Sequence, residues 1–173
     1  MNETTFPKYP ESEALIRFED CDPFGHLNNG RYTDYFLNAR EDQLRDNYNL
    51  DIYRHMHAAG KAWVVATNQM AYLREAKLME KVIIRTCLRW FTESDIMMEA
   101  LMLDKKTQTI KSVAWMRFSY VDVKLGKKAK HEDHLMELFG KAAIVGEGRD
   151  PMMFEERVKE LRQQQVATAE AQL

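Results

Sequence analysis

Asp22-Pro23-Phe24-Gly25-His26-Leu27-Asn28-Asn29-Gly30 separates a short apolar run, Ala14 to Phe18, from a segment of helical period that begins at Arg31. Pro23, Gly25 and the Asn-Asn-Gly run argue against a regular element inside this stretch. After it, Tyr32, Tyr35, Phe36, Ala39 and Gln43 with Leu44 fall on one stripe, so a long helix is predicted with Asn28 or Asn29 as its N-cap. The first amides of such a helix, near Asn29, Gly30 and Arg31, lack intrahelical acceptors and sit at the positive end of its dipole. One of them can polarise a carbonyl while a nearby carboxylate attacks the carbon or activates water. Asp22 and His26 are four residues apart on irregular chain, free to point at a ligand, and Gly25 or Gly30 lets that ligand approach the backbone. The same residue types also make ordinary turns and caps.

Downstream, Asn47 to Gly60 is ambiguous, with Ile52, Tyr53 and Met56 able to line a short helix that Gly60 ends. Then the period changes. Trp63 to Leu73 is rich in β-formers, and Val82, Ile84, Thr86, Leu88 and Trp90 alternate with Ile83, Arg85, Cys87 and Arg89. Asp95 to Leu103 and Ile110 to Val123 follow, joined by connections too short for crossover helices, so the last three strands should form an antiparallel meander. With the first run, this gives an α+β domain of five antiparallel strands and one long helix covering the sheet's apolar face. His131 to Phe139 and Phe154 to Gln165 read as short helices, the second fraying into a polar tail, Val166 to Leu173. Residues 1–139 are read as the domain and 140–173 as a loop with a helical appendage.

The 173 residues carry 25 Lys plus Arg against 27 Asp plus Glu, a net charge of -2 that does not favour a polyanionic partner such as nucleic acid. Two cysteines, Cys21 and Cys87, provide neither a disulfide framework nor a thiolate cluster for a metal. The polar start, Met1 to Glu13, lacks the apolar core of a signal peptide, and every apolar run is broken before membrane-spanning length, so a cytoplasmic setting is expected.

The run Arg17 to Tyr32, continued by Tyr35, Phe36, Ala39 and Arg40, resembles the signature of acyl-CoA thioesterases of the hot-dog fold, in particular the 4-hydroxybenzoyl-CoA thioesterase-like group. The resemblance covers about residues 12–125 and implies a long central helix wrapped by a five-stranded antiparallel sheet. By it, Asp22 matches the catalytic carboxylate, as nucleophile or general base, and Asn29 the residue whose amide binds the thioester carbonyl. His26 and the Asn28–Asn29 pair match residues of related acyl-CoA and plant acyl-carrier-protein thioesterases. Those plant enzymes carry asparagine two residues after the aspartate, where this chain has Phe24, which shifts weight from a His–Asn pair to Asp22. His26 then either acts chemically or shapes the loop.

The implied reaction is acyl-CoA hydrolysis to free acid and CoA. It needs no metal or separate cofactor, coenzyme A being part of substrate and product. Gly25, Asn28, Gly30 and Tyr32 would line the substrate, and Lys81, Arg85, Arg89, Lys124, Lys127 and Lys128 are candidates for its phosphates. Asp20 is expected to cap the turn, Glu41 to pair with Arg45, and Glu75 to occupy a turn. Eleven methionines, among them Met97, Met98, Met102 and Met116, suit core filling or an adaptable acyl lining. Open sheet edges and an uncovered sheet face predict a homodimer or homotetramer, and the resemblance implies a site shared between two subunits, with Asp22 of one chain near the helix start of the other. The alternatives are a non-catalytic acyl-CoA or acyl-carrier binding module and an enoyl-CoA hydratase of the same fold.

Overall fold

The computed structural model describes residues 6–170. Residues 1–5 and 171–173, parts of the polar N-terminal stretch and tail, lie outside the described residues. The principal strands are β1 (Glu11–Leu15), β2 (Lys61–Tyr72), β3 (Lys81–Phe91), β4 (Asp95–Asp104) and β5 (Ile110–Asp122). They form one antiparallel sheet in the order β1-β3-β4-β5-β2, so the meander is β3-β4-β5, and β1 and β2 are its edges. Two short strands, β6 (Lys127–Lys128) and β7 (Gly146–Glu147), add to β5 and β3. Helices are α1 (Tyr32–Tyr48), α2 (Ile52–Ala59), α3 (Asp133–Ala142) and α4 (Phe154–Glu170). This is the α+β hot-dog architecture: a long helix wrapped by a curled five-stranded sheet.

α1 buries the stripe that its period prescribes, Tyr32, Phe36, Ala39 and Gln43, against Val82, Ile84, Met98 and Met116 of the inner face. A fully buried Phe36 contributes about 1.5–3 kcal/mol over an exposed one. Gln43 keeps its amide satisfied inside by donating to Ser12 Oγ and the Ile84 carbonyl at 3.0 and 3.1 Å. Asn49, with φ of 51°, ends α1 in the left-handed region. The ambiguous stretch that follows is helical because the Asp51 carboxylate accepts the amides of Tyr53 and Arg54, and Gly60 closes the helix at φ of 66°.

Four expectations need correction. The first strand pairs at Glu11–Leu15 rather than 14–18, because edge pairing is made by backbone and tolerates polar side chains; the buried Ile16 follows it. Trp90 does not share a face with Val82 and Ile84. A bulge at Arg89, where Leu88 pairs with Met98 but Trp90 with Met97, inverts the alternation and sends Trp90 to the outer face. That face is not uncovered: Phe154 and Leu161 of α4 pack there against Trp90, Leu101 and Trp115. Finally, α4 does not fray at Gln165 but runs to Glu170. A third cluster joins α3 to the end of the sheet through Leu88, Phe91, Tyr120, Leu135 and Phe139. Among the described residues no helix is long and apolar enough to cross a membrane.

Candidate active site

The stretch from Cys21 to Leu27 closes on itself. Asp22 donates its amide to the His26 carbonyl at 2.8 Å, and Gly25 donates to the Asp22 carbonyl at 3.0 Å with φ of 77°, a conformation that favours glycine. The carboxylate oxygen Asp22 Oδ1 accepts the amides of Phe24 at 2.9 Å and His26 at 3.1 Å. Two amide donors orient the carboxylate, while Oδ2 has no protein donor among the described residues. Leu27 is buried and anchors the loop to the core. The His26 ring makes no hydrogen bond among the described residues.

The helix start is built just as locally. A 3-10 turn, Asn29–Arg31, precedes α1, and Asn28 Oδ1 caps it by accepting the Gly30 amide at 2.9 Å. The Arg31 amide goes to the Asn28 carbonyl. Tyr72, on β2, donates its hydroxyl to the Asn29 carbonyl at 2.9 Å, and its ring lies edge-on to Tyr32 at 5.1 Å. With its neighbours so employed, the Asn29 N–H is the leading amide that takes no acceptor among the described residues.

A third segment, residues 73–80, holds these two together. The Leu27 amide donates to the Ala76 carbonyl at 2.8 Å and the Leu78 amide to the Gly25 carbonyl at 2.9 Å. The Ala76 amide in turn donates to the Tyr32 hydroxyl at 3.3 Å. Burial is the main reason the Tyr32 phenol is pushed up from its ordinary value, so it stays neutral.

Asp20 does not cap a turn: its carboxylate accepts the Tyr35 hydroxyl at 2.8 Å and lies 3.7 Å from Arg31 Nε. Burial first, and then this carboxylate, raise the Tyr35 phenol to about 12. Glu41 does not pair with Arg45, which bonds Asp42; it accepts the Tyr53 hydroxyl at 2.9 Å and joins α1 to α2. Glu75 is not in a turn: it lies exposed on irregular chain just after the bend at Arg74, 3.8 Å from Lys77, and the turn before β3 is made by Leu78 and Met79. Lys81 and Arg85 pair with Glu13 and Glu11 of β1 at 3.4 and 2.6 Å. Arg89 is not brought to the loop. It is 6% exposed, between Glu99 at 3.3 Å and Asp150 at 2.6 Å, and stacks on Trp115 beneath α4. Lys128 pairs with Asp95 at 2.8 Å, while Lys124 and Lys127 are exposed at the same hairpin. Among the described residues, no group of three or more His, Cys, Asp or Glu is arranged to hold a metal ion.

One feature had no local signal in the sequence. An apolar cavity of about 290 Å³ lies between the second half of α1, α2 and the inner sheet face. Leu37, Leu44, Met56, Ala62, Met98 and Phe118 are among its walls. Leu37 is eight residues beyond Asn29, which places the near end of the cavity about 12 Å along the helix from the free amide.

The fold agrees with what comparison with known proteins shows. The family model of the thioesterase-like superfamily matches residues 16–139. The chain belongs to that superfamily, and it is a hot-dog enzyme of the acyl-CoA thioesterase class. Among curated proteins it is similar to the long-chain acyl-CoA thioesterase FadM of Escherichia coli K12, 28% identical over 128 residues, which are 73% of this chain and 94% of FadM. Among solved structures it is similar to the probable thioesterase YbaW of Escherichia coli, with TM-score 0.67 and 23% identity over 77% of this chain and 98% of that one. DHNA-CoA thioesterase of Staphylococcus aureus superposes with TM-score 0.71 and 18% identity, over 77% and 89% of the two chains. The Staphylococcus aureus protein SAV2348, solved in complex with CoA, superposes with TM-score 0.73 and 8% identity, over 90% and 95%.

Proposed function

We propose that the chain hydrolyses long-chain acyl-CoA thioesters, with Asp22 as nucleophile or general base and the Asn29 amide polarising the thioester carbonyl. The observation that carries this reading is the pair of groups left open by an otherwise self-satisfied site: Asp22 Oδ2 and the Asn29 N–H. The loop amides orient the carboxylate before substrate arrives, and a fixed amide needs no reorganisation as charge develops on the carbonyl oxygen. Gly25, Asn28 and Gly30 border the substrate, and His26 either moves a proton or shapes the loop. Lys81 and Arg85, and the lysines of the β5–β6 hairpin, remain the phosphate candidates. The long-chain assignment rests on the likeness to FadM and on the apolar cavity, whose near end lies about 12 Å along the helix from Asn29.

The working unit in this reading is a homodimer or larger homo-oligomer that shares the site. Its support is β2, an edge strand whose residues Val64 to Gln69 are all exposed, with Val64 and Val65 among them. A cytoplasmic setting accords with the free thiols of Cys21 and Cys87.

Release of free thiol from a series of acyl-CoAs tests the assignment. Asn at position 22 can still accept the amides of Phe24 and His26, so Asp22→Asn keeps the loop and removes the charge. Its turnover is expected to fall by about 100-fold or more. Hydrolysis by D22N at the wild-type rate would exclude Asp22. Tight CoA binding with no turnover by the wild type would leave a binding module, and hydration of an enoyl-CoA would leave the hydratase.

A further inference from the structure

We infer that Lys111, on β5, is a positioning residue for the proposed site, holding residues 73–80 so that the Asp22 loop and the start of α1 meet in register. The inference rests on the thioesterase reading above but concerns a residue outside the loop and the helix.

Lys111 is the extra residue of a β-bulge: Ser112 pairs with Met102 and Ile110 with Leu103, and Lys111 has no partner on β4. It is 7% exposed, an unusual place for an ammonium group. Its Nζ donates to the Glu75 carbonyl at 2.9 Å and pairs with the Glu80 carboxylate at 2.7 Å. The other oxygen of Glu80 accepts the Lys77 amide at 2.7 Å. Through its own carbonyl, Lys111 accepts the amides of Leu73 and Arg74 at 2.8 and 3.0 Å. One residue therefore pins the segment at Leu73, Arg74, Glu75 and Glu80, and at Lys77 through Glu80.

What the segment does with that rigidity is specific. Between the pinned points it presents the Ala76 carbonyl to Leu27, the Leu78 amide to Gly25 and the Ala76 amide to Tyr32. Beyond Met79 it exchanges backbone hydrogen bonds with Ile16, the Met79 amide going to Ile16 and the Ile16 amide to Glu80. Leu27 and Gly25 belong to the loop that carries Asp22, and Tyr32 opens α1. The carboxylate and the free amide thus have a common mounting. A methionine at 111 would fill the same volume without the cost of desolvating a charge. It would not hold the Glu75 carbonyl and the Glu80 carboxylate at fixed points.

The experiment compares wild type, Lys111→Met and Lys111→Arg, with kcat taken per folded molecule well below the melting temperature and palmitoyl-CoA as substrate. Amide exchange is followed at Leu27 and Leu78. K111M is expected to lose kcat by at least about tenfold with KM within about threefold, since only the transition-state alignment is disturbed. Exchange at Leu27 and Leu78 is expected to quicken while the central β3–β4 amides keep their protection, and K111R is expected to recover part of kcat. If K111M does not fold, Glu80→Gln, which keeps the side-chain volume and weakens the ion pair, is read in the same two ways. Unchanged kcat, or unchanged exchange at both amides, in the folded variant would overturn the inference. If the wild type releases no thiol, the thioesterase reading has failed, and exchange alone then decides whether Lys111 sets the loop.

Discussion

Trp63 donates its indole N–H to His131 Nε2 at 3.0 Å, and Nδ1 of the same imidazole lies 3.0 Å from the Thr92 carbonyl. A carbonyl can only accept, so the hydrogen sits on Nδ1 and Nε2 offers its lone pair to the indole. The ring is therefore held neutral between β2, the β3–β4 turn and α3. A proton on Nε2 would face the indole N–H directly.

The consequence is a pH dependence with a definite sign. Burial lowers the His131 pKa below its ordinary value, and burial does the same for His55, which bonds the Tyr120 hydroxyl. The unfolded chain then binds protons more readily than the folded one. Stability is full above the unfolded value of about 6.5 and falls as pH drops below it toward the folded values. The Glu132 carboxyl is held down at about 2 against burial by Lys61 and Tyr120, so its own contribution is lost only at lower pH. The urea midpoint is expected to fall between pH 7.5 and 5.5, and His131→Gln should flatten the slope. An equal slope in H131Q would assign the effect elsewhere.

Glu99 tests how α4 is held. Its two carboxylate oxygens accept Arg157 Nη2 and Nε, each at 2.9 Å, and one also accepts the Trp115 indole at 2.8 Å. These donors and Arg89 hold the carboxyl below its usual range although burial acts the other way. Arg157→Met leaves a buried carboxylate with Arg89 as its remaining cation, and the loss is expected to be about 3 kcal/mol in urea unfolding. Proteolysis of α4 should accelerate in step. A loss under about 1 kcal/mol would mean that the apolar contacts of Phe154 and Leu161 suffice.

The cavity makes a prediction about substrate length. Ala62→Phe places a ring in the space between α1 and α2. The value of kcat/KM for palmitoyl-CoA is expected to drop about tenfold or more, and that for hexanoyl-CoA to stay near wild type. A parallel fall for both, or no change for either, would separate the cavity from the acyl chain.

Much of this architecture was legible along the chain, and the exceptions have physical causes. The α1 stripe Tyr32, Phe36, Ala39 and Gln43 is a period-3.6 pattern and survives folding unchanged. Gly60 ended a helix as glycine should. Trp90 departs from the pattern because a bulge is one residue long, and nothing in an alternating sequence marks where the count slips. Arg89, at that bulge, reads as a surface cation; Glu99 reaches it from the neighbouring strand β4 once the bulge turns it, and Asp150, 61 residues on, meets it only in the fold. Of the site, the loop and helix start were readable because both are local. The segment 73–80, its Lys111 anchor, the Tyr72 bond to Asn29 and the cavity were not, since each joins stretches about 30 or more residues apart.

The placement of α4 also limits how copies of this chain can stack. Two hot-dog sheets laid back to back would need Leu101, Trp90 and Trp115 bare, and here Phe154 and Leu161 already occupy that ground. While α4 is in place the C-terminal segment acts as a built-in stopper on the sheet's far side. Shaving it off should leave that far side sticky.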